Sequence, residues 1–451
     1  MKNVRLQRSL TVFPLVIFGL AYMAPTTVFS TYGVVAQITE GMVPAAYIVA
    51  LIGMLFTAYS YGKMVKAFPV SGSAYTYTQK AINSHVGFMV GWVILLDYLF
   101  LPMINGLLLG IYLHAYFPSV PFSVWLIGYI VLITIVNVIG VKIATKVNLL
   151  LISCQFFIIL IFFILSIKGL VNGMGSGTLF MSSPFINGDI PFSYVLTGAS
   201  VLCLSFLGFD SVTTFSEETI DPRKNLPKAI FLVALIGGAL FILISYFLHL
   251  VYPQYHAFKD ADSASLEIAK YIGGKLFESI FLGGYITGAL ASGLSSHASV
   301  SRLLYGMGRD GVLPKKVFGQ IHAKYRTPAV NILIVSVFML TAFFVDLVTA
   351  SSFINFGALV AFTFVNLSVI SHYFIREKLR KKFDFLLYLM IPLIGAGFSI
   401  WLWANLDKKA LILGFSWFAI GFLILLSMTK LFSQSPPELS IDQIETSEMN
   451  I

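Results

Sequence analysis

Charged residues are scarce in this chain. Asp, Glu, Lys and Arg make up 11% of its 451 residues, against about 25% in typical soluble domains. Hydrophobic residues make up 58%, which is more apolar surface than a soluble core can bury. The apolar residues form repeated stretches of about 20 residues, the length that crosses the hydrocarbon core of a bilayer as a helix. The composition therefore excludes a soluble globular domain and predicts an all-α polytopic membrane protein.

Several kinds of reactive side chain are also rare or scattered. The two cysteines, Cys154 and Cys203, both lie in apolar segments, so neither a disulfide framework nor a metal site is expected. The seven histidines are dispersed, and the sequence has no HExxH or GxSxG motif. These absences argue against a membrane-embedded enzyme, and the lack of a repeated pore-loop filter argues against a channel. We expect no metal and no cofactor.

Hydropathy predicts twelve transmembrane helices, named TM1 to TM12. Their predicted ranges are 12–37, 42–67, 86–116, 122–140, 146–172, 191–219, 225–252, 274–305, 328–346, 350–375, 384–404 and 410–431. The polar segment between TM2 and TM3, residues 71–79, is predicted to form a short interfacial helix. Residues 1–10 and 432–451 fall outside the spans, and the second of these segments has the composition of a disordered tail.

The distribution of basic residues predicts the orientation. On this span assignment, 23 of the 29 lysines and arginines lie on the side that holds both termini. Basic loops remain in the cytoplasm, so both termini are expected to be cytoplasmic. The net charge of +9 is thereby explained by topology and by contact with lipid, without nucleic acid as a partner.

Two spans are interrupted near their middle. TM1 carries the segment from Gly19 to Pro25, and TM6 carries Gly208-Phe209-Asp210 at a similar depth. Proline and glycine both weaken a helix, and freed backbone groups are tolerated in a bilayer only where they are buried or line a cavity. Both interruptions are either ordinary kinks or a paired break. Because they lie five spans apart, a paired break is typical of the substrate site in an inverted repeat.

Asp210 is an acid inside an apolar span, with no basic residue within twelve positions on either side. A carboxylate at this depth costs several kcal/mol unless it is paired or solvated. It is either protonated and hydrogen-bonded across helices, or neutralised by a cationic substrate. Asp97 is a second acid within a span, and Asn105 lies on nearly the same face of TM3.

Aromatic residues flank both acids in sequence, at Tyr22, Tyr98, Phe206 and Phe209. A single ring in a membrane span usually indicates packing. Several rings with two acids, in contrast, suit an ammonium ion, which binds aromatic faces by cation–π attraction. Two acids also suit a substrate with two ammonium groups, provided the fold brings them together.

Longer motifs resemble the amino acid–polyamine–organocation (APC) superfamily. The end of TM8, RLLYGMGRDGVLP at 302–314, resembles its signature, and GFD followed by EET, DP and LPKAI at 208–230 resembles its sixth-helix motif. The stretches GLAYMAPTTVF, SGSAYTYTQKAI, VGFMVGW, LLDYLF, PMIN and INFGALVAFTFVNLSVIS further resemble bacterial putrescine importers of that superfamily. The resemblance covers roughly residues 9–431.

The resemblance implies a LeuT-like 5+5 inverted repeat with broken TM1 and TM6, in a bacterial cytoplasmic (inner) membrane. TM1–TM5 (11–173) and TM6–TM10 (190–376) would be the repeats, followed by TM11–TM12 (383–431). It implies import of putrescine, a small dication, by alternating access, driven by the proton-motive force. The implied substrate site comprises Tyr22, Met23, Ala24, Pro25, Asp97, Tyr98, Phe206, Gly208, Phe209 and Asp210.

Two positions depart from related carriers. Leu204 stands where related antiporters have a tryptophan six residues before the sixth-helix acid, so their aromatic gate does not carry over. Gln155 follows Asn148 by seven residues, where proton-coupled amino acid carriers can have a lysine. A fixed cation there would repel a diamine, and its absence also removes the lysine-based proton device.

Proton coupling and substrate class are left with alternatives. Symport needs a titratable group separate from the amine's carboxylate, and the candidates are Asp97, Glu217, Glu218 and His297. His297 is alternatively a polar packing residue, and the two glutamates alternatively only pair with Arg223 or Lys224. The alternative function is a carrier or antiporter of cationic or neutral amino acids, whose carboxylate would bind the half-helix N-termini at the breaks.

Overall fold

The computed structural model describes residues 6, 8–258, 261, 264–406 and 408–437, apart from the side chains at 115–116 and 347–348. Over these residues the chain is helical, without β-strands. The predicted all-α fold is therefore confirmed. Most of the predicted tail, from residue 438 onward, lies outside the described residues, as do residues 1–5 of the predicted N-terminal segment.

The twelve predicted spans all appear as helical segments. Apart from TM1 and TM6, which are described below, the spans are Val43–Ala67 (TM2), Ser84–Tyr116 (TM3), Phe122–Ile139 (TM4), Val141–Val171 (TM5), Pro222–Val251 (TM7), Ala264–Arg309 (TM8), Ala329–Met339 with Leu340–Phe343 (TM9), Leu347–Val369 with the π-helix Ile370–Arg376 (TM10), Lys382–Phe385 with Leu386–Met390 and Ile391–Ala404 (TM11), and Lys408–Met428 (TM12). Among the described residues, nine helices are long and apolar enough to cross a membrane, and the bent TM1 pair makes a tenth. TM8 and the shorter TM9 complete the twelve.

TM8 differs most from its predicted range. The prediction begins at residue 274, whereas helical structure begins at Ala264. Gly274 has φ 64° and ψ −166°, so the chain bends there and residues 264–273 form a separate helical piece. This piece has the low hydropathy of a loop because it carries Glu267 and Lys270, and Lys275 follows directly after the bend.

TM1 is broken where the sequence predicts. Its first half, Val12–Met23, ends at Ala24, which has the positive φ of 46°, and the second half is Thr27–Ile38. The two halves are bent by 45°. Pro25 lies in the gap, where its missing N–H costs no helical hydrogen bond.

TM6 is broken at the predicted Gly208. An α-helix, Phe192–Leu202, tightens into the 3₁₀ turn Cys203–Phe206, and a second 3₁₀ segment follows at Ser211–Glu218. Gly208 has φ 122°, a backbone conformation that only glycine adopts without strain. The sequence predicts the position of this break, but not the long 3₁₀ segment after it.

The short helix between TM2 and TM3 runs from Ser73 to Ala81. A helix at this place was predicted, but its predicted interfacial environment is wrong. All its residues except Lys80 are buried, because it packs between TM3 and TM10. Its polar side chains, among them Ser73 and Gln79, therefore face other protein groups.

We predict that Gly208→Ala destabilises the protein by about 1–3 kcal/mol, the usual cost of a strained backbone conformation. A Cβ atom at Gly208 would also lie 2.5 Å from Cδ1 of Tyr22. Thermal unfolding in detergent measures the effect. Gly128→Ala is the control, since nothing lies within 4 Å of its Cβ position and alanine favours a helix. Equal unfolding temperatures for the two variants would contradict the prediction.

Candidate substrate site

The carboxylate of Asp210 lies in the gap of TM6 and is buried, with 2% of the residue exposed. Its Oδ2 accepts a hydrogen bond from the Tyr98 hydroxyl at 2.9 Å, and its Oδ1 accepts one from the Gly208 N–H at 3.3 Å. Among the described residues it forms no ion pair with a basic side chain. The carboxylate is thus oriented by neutral donors, which leave its charge uncompensated by protein.

TM3 and the Ser73–Ala81 helix fix the position of Tyr98. The Tyr98 hydroxyl lies 3.4 Å from Oγ of Ser73 and is fully buried. TM3 therefore holds a hydrogen-bond donor against the break in TM6. The expected proximity of Tyr98 and Asp210 is observed.

Asp97, the neighbour of Tyr98 on TM3, is the second buried acid, with 2% exposed. Its Oδ1 has no hydrogen-bond partner among the described residues. TM10 approaches closely here, and a Cβ on Gly357 would lie 2.8 Å from the Asp97 backbone nitrogen. Asp97 and Asp210 interact electrostatically. Two buried carboxylates repel each other unless a cation or a proton neutralises them.

Tyr22 lies between the breaks of TM1 and TM6. Its ring packs on Gly208, and its hydroxyl interacts electrostatically with both Asp97 and Asp210. Its backbone carbonyl accepts a hydrogen bond from Oγ of Ser292 at 2.8 Å, and Ser292 Oγ in turn accepts one from Asn105 at 3.1 Å. TM1, TM3 and TM8 are thereby joined at the level of the breaks.

An aromatic wall borders the acids on the side of TM2 and TM10. Tyr61 lies 5.8 Å from Phe209 and 6.2 Å from Tyr77, and Phe209 lies 5.4 Å from Phe362, measured between ring centroids. The Tyr61 hydroxyl interacts electrostatically with both acids but has no hydrogen-bond partner among the described residues. Several ring faces therefore surround the carboxylates, as a cation site requires.

Phe206 belongs to a different aromatic group. It packs against Phe241 of TM7, with centroids 5.5 Å apart, and lies 6.5 Å from Tyr47 of TM2. Phe209, in contrast, belongs to the aromatic wall near the acids.

A cavity of about 160 Å³ lies beside the breaks. It is lined by TM1 from Tyr22 to Ser30, TM3 from Leu101 to Leu108, TM6 from Leu204 to Leu207 and TM8 from Tyr285 to Ser292. The TM1 lining runs from the end of its first half across the break into its second half, and the TM6 lining precedes the break at Gly208, so the cavity extends away from the face where TM1 begins.

The cavity contains only part of the predicted site. Tyr22, Met23 and Ala24 line it, as does Asn105. The other predicted residues lie outside its lining: Pro25, Asp97, Tyr98, Phe206, Gly208, Phe209 and Asp210. Because Tyr22 both lines the cavity and packs on Gly208, this ring separates the open space from the acids.

Gln155 of TM5 lies next to this cavity. Its Oε1 accepts a hydrogen bond from Oγ1 of Thr26 at 3.3 Å, and its amide nitrogen has no partner among the described residues. Asn148 donates to Oγ of Ser295 at 2.9 Å. TM5 thus presents a neutral amide at the second half of TM1.

Glu217 and Glu218 are both held in ion pairs, with basic partners other than the predicted Arg223 and Lys224. Glu218 forms a buried ion pair with Arg302, and Glu217 pairs with Arg309 and accepts a hydrogen bond from Oγ of Ser71 at 2.6 Å. Both arginines belong to TM8: Arg302 lies within its predicted range, and Arg309 lies on the helical continuation past the predicted end at residue 305.

His297 is a buried polar packing residue. Its Nδ1 lies 3.1 Å from Nδ2 of Asn137 on TM4, and its Nε2 lies 3.1 Å from Oγ of Ser336 on TM9. Both ring nitrogens thus have partners. These contacts agree with the packing alternative and place His297 between TM4 and TM9.

Several residues of the site were missed from the sequence. Their sequence segments resemble ordinary helix packing, a loop or a helix of small residues, and the missed residues are Tyr61, Tyr77, Ser73 and Ser292. The one signal was the density of hydroxyl groups in SAYTYT at 73–78, which is unusual beside a membrane span. In the described residues, no three His, Cys, Asp or Glu side chains come together as a metal site requires.

A broken-helix fold with buried acids between the breaks defines a polytopic membrane transporter. Comparison with known families agrees, because the model of the amino acid permease family matches residues 15–437. The chain belongs to the amino acid permease family. The predicted APC membership is thereby confirmed, and with it the LeuT-like class of fold.

Curated relatives of this chain carry different cargo. It is 48% identical to the low-affinity putrescine importer PlaP of Escherichia coli (strain K12) over 437 residues, 97% of each chain. It is 28% identical to the methylthioribose transporter of Bacillus subtilis (strain 168), over 94% of each chain. It is 25% identical to the branched-chain amino acid permease BcaP of the same strain, over 93% of this chain and 92% of that one.

We predict that Glu218→Gln lowers the free energy of unfolding by about 3–5 kcal/mol, since it leaves the buried Arg302 guanidinium uncompensated. Thermal unfolding in detergent measures this. The matched control is Glu377→Gln, because Glu377 is 45% exposed in its contact with His372 and exposed pairs contribute about 0–1 kcal/mol. A control variant that unfolds as early as Glu218→Gln would contradict the prediction.

Proposed function

We propose that this protein imports putrescine across the bacterial cytoplasmic membrane by alternating access, with both termini in the cytoplasm. The observation that carries the proposal is the buried Asp210 carboxylate, which accepts hydrogen bonds from Tyr98 and Gly208 and forms no ion pair with a basic side chain among the described residues. An ammonium group of the substrate would supply the missing positive charge. Similarity to a putrescine importer over 97% of the chain supports the same cargo.

The second acid suits the second amine. Asp97 is buried, electrostatically coupled to Asp210 and short of a partner for Oδ1. A dication neutralises both carboxylates at once, whereas a monocation leaves one of them charged. The rings of Tyr22, Tyr61 and Phe209 would then border the ammonium groups and the apolar carbon chain between them.

The backbone at the breaks favours a diamine over an amino acid. An amino acid's carboxylate would need free N–H groups there. Pro25 has none, the Thr27 N–H donates to the Ala24 carbonyl at 2.8 Å, and the Gly208 N–H donates to Asp210 itself. The amino acid carrier remains the alternative, favoured by the similarity to BcaP at 25% identity.

Because Asp97 would bind the second amine, it is not the separate titratable group that proton symport needs, and we propose that the membrane-potential part of the proton-motive force drives import. His297 has hydrogen-bond partners on both ring nitrogens, and Glu217 and Glu218 are held in ion pairs with arginine. Among the four candidates, Asp97 alone has a buried carboxylate oxygen without a partner. Import follows the membrane potential, since two charges moving inward across 100 mV release about 4.6 kcal/mol.

Uptake of radiolabelled putrescine into cells that lack their own polyamine carriers tests the cargo. We expect excess unlabelled putrescine to abolish uptake of the label, whereas leucine and other neutral amino acids leave it unchanged. Competition by arginine, lysine and spermidine measures how strongly binding depends on the distance between the two amines. Competition by neutral amino acids but not by diamines would overturn the proposal in favour of an amino acid carrier.

Substitution of each acid by its amide tests whether both carboxylates bind the diamine. We expect Asp210→Asn to reduce both net uptake and putrescine exchange to near background, since the charge that binds the first amine is lost. Asp97→Asn should also reduce both, since the second amine then has no carboxylate. The control is Asp189→Asn, in the exposed segment between TM5 and TM6. Normal uptake and exchange by Asp210→Asn or by Asp97→Asn would refute the role of that acid.

A further inference from the structure

The surface that faces the lipid carries a groove between TM2 and TM7, which is separate from the candidate substrate site. Its volume is about 560 Å³, and it lies where TM2 ends and TM7 begins. Its floor is Gly62 against Pro227, where a Cβ on Gly62 would be 3.4 Å from Cβ of Pro227. The missing side chain of Gly62 leaves the space that the groove occupies.

Three lysines border this groove: Lys63 and Lys66 on TM2 and Lys228 on TM7. Among the described residues none of them forms an ion pair. The Lys63 ammonium lies 5.2 Å from the ring centroid of Tyr59 and 4.9 Å from that of Tyr388. The acid that interacts with it electrostatically is Asp384 on TM11. Rings therefore hold Lys63 in place while its charge stays open to an anion.

The walls of the groove are apolar and continue along the outer surface. Phe231, which lines the groove, is 44% exposed, and Leu235 one turn further on TM7 is 39% exposed. On TM2 the same face carries Ile52, which is 52% exposed. In a membrane these exposed residues contact the hydrocarbon of the bilayer.

We propose that this groove binds an anionic phospholipid. A phosphodiester headgroup of the phosphatidylglycerol type would lie among Lys63, Lys66 and Lys228, and an acyl chain would follow Phe231, Leu235 and Ile52. The charge on the rim excludes a purely apolar occupant, and the apolar walls have no function for a soluble anion. Basic pockets between transmembrane helices on the cytoplasmic side bind such headgroups, and the distribution of lysine and arginine assigns this face to that side.

Native mass spectrometry of the full-length protein in detergent tests the proposal. Phosphatidylglycerol and phosphatidylcholine with identical acyl chains are titrated, and the bound lipid per protein is measured. We expect phosphatidylglycerol to bind preferentially. The triple variant Lys63→Gln, Lys66→Gln, Lys228→Gln should lose this preference by about tenfold or more, as three lost lysine contacts imply. Arginine at the same three positions should retain it.

A matched control removes the same charge elsewhere on that face. Lys315, Lys316 and Lys324 are exposed in the segment between TM8 and TM9, and their replacement by glutamine should leave phosphatidylglycerol binding unchanged. Equal loss in this control would show attraction by overall charge and overturn the proposal. Equal binding of both lipids by the native protein would overturn it too, as would displacement of the lipid by soluble glycerol phosphate. A folded state common to all variants is checked by thermal unfolding.

Discussion

A carboxylate buried in the middle of a membrane protein must be solvated or neutralised, and the architecture around Asp210 follows from this requirement. The break in TM6 places a backbone N–H beside one oxygen, and TM3 places the Tyr98 hydroxyl beside the other. Both donors orient the carboxylate without cancelling its charge. The broken helix, the tyrosine and the aromatic wall are thus parts of one arrangement around a buried carboxylate, as the proposed binding of a cation requires.

The same requirement is met differently at the C-terminal end of TM6. There Glu217 and Glu218 are compensated within the protein, by Arg309 and Arg302 of TM8. Arg302 also stacks on Phe215, with its guanidinium carbon 4.3 Å from the ring centroid. Glu217 and Glu218, which lie within eight positions of Asp210, are therefore paired inside the protein and fit a structural role. Asp210 has no such ion pair among the described residues, and this difference distinguishes the candidate binding centre from the rest of TM6.

The surface groove extends this contrast to positive charge. Most basic residues in a membrane protein set its orientation, but Lys63 is held between two aromatic rings, close to Lys66 and Lys228, in a groove with apolar walls. TM2 and TM7, which form the groove, also carry Tyr61 of the aromatic wall and Gly237, which packs on Met23 at the TM1 break. A lipid bound in this groove would contact TM2 and TM7, the helices that support both sides of the candidate substrate site.

The sequence by itself determined the helical membrane class, the twelve segments, the positions of both breaks and the presence of an acid, Asp210, at one of them. Apolar length, helix-breaking residues and an isolated charge are local properties, so they can be read along the chain. Only the tertiary structure decided which acids are paired. It also decided that Tyr61 and Phe209, but not Phe206, form the aromatic wall, and that the cavity ends at Tyr22. These facts depend on contacts between residues far apart in sequence, such as Arg302 with Glu218, and helix packing alone brings such residues together.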